Sequence, residues 1–341
     1  MAMAVMRDEA ATAVFELSTG VHGSAVVRAA VQLGLPDAVG DEPAGLAALA
    51  SASGARPDTL RRFLRLLTTF GIFTEVTEDH YEHTPASRAL RSDAPDGPAH
   101  VIRLGGDWNW ILWGLLAHSV RTGECAFQAH YGMDIFSFFA QNPPAAAAFQ
   151  QGLSVVAKRE DPLVADALSV KGGECVVELA GGSGTLLRAV LERHPYVTGV
   201  LVETEQALAT LDPALREEPL ASRFRVVSGD CHARAPGGGD IYLIKQTLHM
   251  WDDETCLRVL ANCRRAAPPG ARVVVVEQLL GDGPAERRGR LMDLHMLLVA
   301  GGKERTEQEF AELFRRAGLV FTGVRGQAGD LRLIEGETPE S

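Results

Sequence analysis

From residue 170 onward, short apolar runs alternate with amphipathic stretches, and this alternation restricts the fold more than any other feature. Buried strands are predicted at 175–180, 197–203, 224–228, 241–245 and 272–279. Helices are predicted at 186–194, 252–266 and 307–317, with short terminal strands at 320–324 and 331–335 and Gly326 and Gly329 between them. Such a pattern specifies an α/β fold, a mostly parallel sheet covered by helices on both faces. Gly181-Gly182-Ser183-Gly184 follows the first of these strands and opens the first helix. Glycines there let the backbone turn sharply and let a ligand approach it closely.

The remainder of the chain divides in two. Helical spacing at 25–35, a short helix at 46–50 and a longer one at 59–70 precede two strands, 73–76 and 81–84, around a Thr-Glu-Asp-His turn. In the longest of these helices Leu60, Phe63, Leu64 and Leu67 form one stripe, with Arg61, Arg62 and Arg65 off it. This is a winged-helix outline over residues 1–100. Residues 101–165 hold Trp108, Trp110, Trp113 and many phenylalanines, and are expected to be a helical connector that also lids a small-molecule pocket. The third domain is 166–341.

At 341 residues the chain is long enough for two or more cores. Its net charge of −11 disfavours a general nucleic-acid binder, which needs a positive footprint. No apolar run approaches the ~20 residues of a membrane span. Arg7, Asp8 and Glu9 interrupt the N-terminus before any long apolar stretch, so no secretory leader is expected. Five cysteines, at 125, 175, 231, 256 and 263, contain no CxxC, which fits a reducing cytoplasm and no structural metal.

The glycine loop is not a dinucleotide fingerprint, because Leu187 stands where the third glycine should be, and no GK[ST] ending makes it a P-loop. Its neighbours narrow the ligand. Glu203 ends the second strand, placed to accept from both ribose hydroxyls. Gly229-Asp230 ends the third, where an acid can accept from an adenine amino group, and Lys245 ends the fourth. Ligands of open α/β sheets bind outside the carboxyl ends of the strands, so these elements converge on one crevice. An adenosine without phosphates fits, and S-adenosylmethionine is the candidate, with S-adenosylhomocysteine as its product.

Four segments carry a resemblance to a known family: GIFTEV…YEHTPASRALR, VVELAGGSGTLL, IYLIKQTLHMWDDE and DLHMLLVAGGKERTEQEF. Over nearly its whole length the chain resembles small-molecule O-methyltransferases of the plant caffeate and bacterial polyketide-tailoring type. The resemblance implies a winged-helix dimerisation domain, a homodimer, and a Rossmann-like class I methyltransferase domain with a seven-stranded sheet. It implies an aromatic acceptor, in secondary metabolism such as antibiotic biosynthesis. Cofactor contacts would come from Gly181, Gly182, Gly184, Glu203, Gly229, Asp230, Cys231 and Lys245. By the same resemblance Phe149, Leu153, His295, Met296 and Ala300 line the acceptor pocket.

His249 lies four residues after Lys245, where a strand end meets the crevice. A phenol has a pKa of about 10 and needs a base at neutral pH. Histidine, near 6.5, suits that task. In the family the histidine at this place removes the phenolic proton between two glutamates, which match Glu277 and Glu304 here. The chain departs from the family pattern at Met250, where an acid is usual, at Cys231 and His232, where aromatics are usual, and at Ala180, the first position of the glycine triplet. Competing functions are methyl transfer to carbon or nitrogen, use of the cofactor without methyl transfer (as a hydroxylase, decarboxylase or cyclase), and a winged-helix DNA regulator.

Overall fold

The computed structural model describes residues 8–94, 97–281 and 287–340. It separates into two compact units, Met1–Gly106 with Pro144–Val155, and Asp107–Pro143 with Val156–Ser341. The expected connector, 101–165, is thus shared between the two units rather than standing apart, and the helix Pro143–Ala167 runs from one into the other.

In the first unit Leu60, Leu64 and Leu67 of the helix Pro57–Thr69 are buried, as their spacing predicts, against Leu35, Leu49, Phe73 and Tyr81. Pro57 opens that helix, where a missing N–H costs nothing. The wing is three-stranded, not two-stranded: Ala44–Gly45 (β1) pairs with His80–His83 (β3), which pairs with Phe73–Thr77 (β2). Arg61 is drawn out of the basic face into a bidentate bond to Asp79 in the hairpin turn, at 2.7 and 2.6 Å. The first helix begins at Glu9, not at residue 25, and reaches Gln32. Asp8 caps it by accepting from the Ala10 N–H. Its N-terminal half has little inward stripe to read. Val14, Leu17 and Val21 instead face outward, Leu17 being 73% exposed.

The second unit contains the seven-stranded sheet, Cys175–Leu179 (β4), Thr198–Glu203 (β5), Phe224–Ser228 (β6), Ile241–Lys245 (β7), Arg272–Gln278 (β8), Val320–Ala328 (β9) and Leu331–Glu337 (β10). The spatial order is β6-β5-β4-β7-β8-β10-β9. β4 to β8 are mutually parallel, and β10 is antiparallel to both of its neighbours. Side chains alternate across the sheet. Val177, Val200, Tyr242 and Val273 pack under the helices Asp253–Ala266 and Glu307–Arg316, whereas Val176, Leu201, Leu243 and Val274 meet the helix Thr185–Arg193. β9 runs through Gly326, and only Gly329, with a φ of +62°, lies in the final turn. A register shift between Leu333 and Ile334 lets β9 continue past Gly326. Chain order reverses between β4 and β7, so the crevice outside their carboxyl ends is where such a sheet binds ligands.

Candidate active site

The loop after β4 is built for close approach. A Cβ on Gly181 would lie 2.4 Å from Glu178 Cδ and 2.7 Å from Leu201 Cδ1, so no side chain fits. Gly182 has a φ of +58°, and a Cβ there would meet nothing within 4 Å, which leaves open space beside the backbone. Gly184 has a φ of +78° and caps the helix Thr185–Arg193. Ala180 also sits at positive φ, +53°, so the family's usual glycine is replaced by a residue that bears about 1–2 kcal/mol of backbone strain. Gly181→Ala is expected to push the loop outward, lowering stability by about 1–3 kcal/mol together with cofactor affinity. Thermal unfolding and titration calorimetry measure both, and wild-type values would refute the packing argument.

The strand ends bring the expected cofactor residues to this crevice. Glu203 Oε2 accepts from the Gly182 N–H at 3.0 Å and Oε1 from the Thr204 N–H at 2.7 Å. Gly229 N–H donates to the Glu203 carbonyl at 3.0 Å, joining the ends of β5 and β6. Asp230 Oδ1 is held by the His232 N–H at 2.8 Å and by His232 Nδ1 at 2.7 Å. Burial works against its charge, yet these bonds keep Asp230 below the usual carboxylate range. Cys231 is buried, and burial lifts its thiol to about 12, so it is a neutral wall. In place of the usual aromatics His232 lies edge-on to Trp251, 4.3 Å between ring centres. Lys245 turns to Glu160 and Asp161, at 3.0 and 2.9 Å. Burial opposes its charge, but those carboxylates outweigh burial and raise its proton affinity.

His249 sits on the turn Leu248–Met250, just beyond β7, and is buried. Its Nδ1 is 2.8 Å from Glu304 Oε1 and 3.3 Å from Glu277 Oε2. Glu277, near the end of β8, is itself held by the Thr247 and His249 N–H groups at 2.9 and 3.3 Å. A nitrogen lodged between two carboxylates carries the proton, which leaves the lone pair on Nε2 in the neutral ring. Burial disfavours the imidazolium, but Glu277 and Glu304 outweigh it, so His249 lies above its ordinary 6.5. Burial raises the pKa of Glu277 as well. The segment bearing Glu304 is pressed onto this turn, since a Cβ on Gly302 would fall 2.0 Å from the His249 carbonyl oxygen.

These features are shared with known proteins. An O-methyltransferase domain family matches residues 113–320, and an O-methyltransferase dimerisation domain matches residues 15–93. The chain belongs to the O-methyltransferase family. This family is dependent on S-adenosylmethionine, and the chain is a methyltransferase of that kind. A phenazine O-methyltransferase of Lysobacter antibioticus is 32% identical over 94% of each chain. The solved structure of a mitomycin 7-O-methyltransferase has a TM-score of 0.90 and 34% identity, covering 96% of this chain and 98% of that one. An O-methyltransferase from neocarzinostatin biosynthesis, solved with S-adenosylmethionine and 2-hydroxy-5-methyl naphthoic acid, has a TM-score of 0.82 at 29% identity, covering 93% and 96%.

Among the residues expected at the acceptor, this O-methyltransferase places His295, Met296 and Ala300 on the helix Arg287–Ala300. His295 stacks with Trp113 at 6.3 Å and with Trp108 at 6.4 Å. Burial, followed by the proximity of His249, lowers His295 to about 4, so its ring is neutral at working pH. Phe149 and Leu153 lie in the other unit, on the helix Pro143–Ala167, with Leu153 44% exposed. Two contributors went unread in the sequence. Glu178, within β4, accepts from the Leu187 N–H at 3.2 Å under the glycine loop, and burial pushes it to about 8. A lone acid in an apolar strand was its signal. The Glu160–Asp161 pair around Lys245 had no local signal, lying 84 residues away in the case of Asp161.

Proposed function

We propose that this chain methylates a phenolic oxygen of an aromatic small molecule, with His249 as general base and two chains forming a homodimer. The observation that carries this function is His249 held by Glu304 and Glu277 at the strand ends that also bear the adenosine-type site. The relatives point the same way, one being named for a phenazine and another having been solved with a hydroxynaphthoic acid.

The residues fit the cofactor by their chemistry. Gly182 offers open space, Glu203 retains lone pairs toward two hydroxyls, and Gly229, Asp230 and Cys231 follow at the neighbouring strand end, with Lys245 at the next. When bound, S-adenosylmethionine supplies a methyl group on a sulfonium. His249 Nε2 then takes the phenolic proton, and Glu304 and Glu277 stabilise the imidazolium that forms. The base is worth about 10²–10⁴-fold. Holding the acceptor oxygen in line is worth more, roughly 7–11 kcal/mol. The stacked and only partly buried Trp113 and His295 supply flat surface suited to an aromatic ring.

Because the base must be neutral, kcat/KM for the acceptor is expected to fall as pH drops through the raised pKa of His249. The midpoint of that acidic limb should lie above the ordinary value of 6.5. A pH profile with a midpoint below 6.5, or none at all, opposes the assignment. For the dimer, the outward Val14, Leu17 and Val21 on the helix Glu9–Gln32 offer an apolar stripe, the last two within the matched dimerisation domain. Sedimentation velocity at micromolar concentration should show a dimer, and a monomer would contradict it. No helix among the described residues is long and apolar enough to cross a membrane, and all five cysteines are unpaired. These observations support work in the reducing cytoplasm.

A further inference from the structure

Among the described residues, Arg305 is the largest fully buried side chain, at 1% exposure. A guanidinium stays charged and must place its donors when it is buried. Here they go to the turn that carries His249. Nη1 donates to the Leu248 carbonyl at 3.0 Å and Nη2 to the Trp251 carbonyl at 2.9 Å, so the two bonds bracket His249 and Met250. Nε and Nη2 both donate to Asp253 Oδ1, at 3.0 and 2.8 Å. The Arg305 backbone carbonyl accepts from the Leu280 N–H at 3.0 Å, and Arg305 bridges Leu279, just past Glu277 on β8. One residue therefore ties together the turn bearing His249, the extension of the strand bearing Glu277 and the segment bearing Glu304.

We propose that Arg305 is a positioning residue for methyl transfer, holding His249 on its two carboxylates and setting a fixed positive charge behind the imidazole. This rests on His249 being the base. The groups facing His249 are Glu277 from β8, Glu304 and Arg305 from their shared segment, and His295 from the helix Arg287–Ala300. Asp293 of that helix accepts from the Glu304 N–H, and the Cys256 thiol, on the helix Asp253–Ala266, donates to the Leu248 carbonyl. Behind Arg305, Asp253 also pairs with Lys303 at 3.2 Å. Burial and the Arg305 cation disfavour the imidazolium, whereas Glu277 and Glu304 favour it. Removing the cation should therefore raise the proton affinity of His249, and removing the Asp253 charge that offsets the cation should lower it.

The test is the acidic limb of kcat/KM in three variants, with S-adenosylhomocysteine binding measured alongside. Arg305→Gln should lose about tenfold to a hundredfold in kcat through misplacement of the base. Its limb should move to higher pH. Arg305→Lys keeps the charge but not the fork, so kcat should fall while the limb stays. Asp253→Asn should move the limb to lower pH. Affinity for S-adenosylhomocysteine should remain close to wild type in all three, because the glycine loop and Glu203 are untouched. A merely structural role lowers activity without shifts of opposite sign. Wild-type profiles in folded variants, or shifts of one sign, overturn the proposal. Should Arg305→Gln not fold, the other two decide, and an unmoved limb in Asp253→Asn counts against it. His249→Ala in the same series separates the two levels: near-full turnover removes the base assignment, whereas a strongly impaired His249→Ala with unmoved limbs elsewhere removes only the role of Arg305.

Discussion

Replacing His249 with alanine should lower kcat by about 10²–10⁴-fold while binding of S-adenosylhomocysteine stays nearly unchanged. The separation follows from geometry. His249 is bonded to Glu304 and Glu277, and its N–H also reaches Glu277, whereas the glycine loop is organised by Glu178 and Glu203. Activity should not vanish, because positioning of the acceptor contributes more to the barrier than proton removal does. Alanine also removes the imidazole that favours the charged form of Glu277, while burial and the Glu304 charge continue to raise its pKa, so Glu277 is expected to take up a proton more readily in the variant. Steady-state kinetics with calorimetry checks this, and near-full turnover of a phenolic acceptor by His249→Ala would exclude the base.

Glu203→Ala should act on the other half of the site. Its carboxylate ends β5, anchors the Gly182 N–H and is proposed to accept from the ribose hydroxyls. Loss of hydrogen bonds to a charged group costs about 1.5–3 kcal/mol each. Cofactor affinity should accordingly fall at least tenfold, and by several hundredfold if two bonds are lost. Glu203→Gln should fall between the two proteins, since it keeps a single carbonyl acceptor. Calorimetric titration with S-adenosylhomocysteine is the check, and an unchanged Kd in a folded Glu203→Ala protein would remove Glu203 from the binding site.

The sheet was legible because its signal is local. Runs such as Val273–Val276 are buried on both faces, and the glycine loop marks where β4 turns into its helix. The strand bounds read from sequence lie within two residues of the observed ones, except at β9. There a glycine usually ends a strand, but a bulge carries β9 past Gly326. The insertion of β10 between β8 and β9 depends on pairing partners, which no local pattern encodes. The helix Glu9–Gln32 was half missed because Val14, Leu17 and Val21 look outward and make no inward stripe. In the site, the strand-end position of His249 was readable, while Glu277 and Glu304 came through family resemblance. Arg305 lies beside Glu304 in sequence, but its partners Leu248 and Trp251 are more than fifty residues distant, so its burial could not be foreseen.

Methyl transfer to oxygen is tested most directly by supplying the wild-type enzyme with S-adenosylmethionine carrying a trideuterated methyl and a panel of phenolic acceptors. Mass spectrometry and NMR then locate the label. An acceptor that binds the site should receive the labelled methyl on its hydroxyl oxygen, with one S-adenosylhomocysteine formed for each product. Label found on carbon or nitrogen, or a chemically altered acceptor with no S-adenosylhomocysteine released, would contradict it.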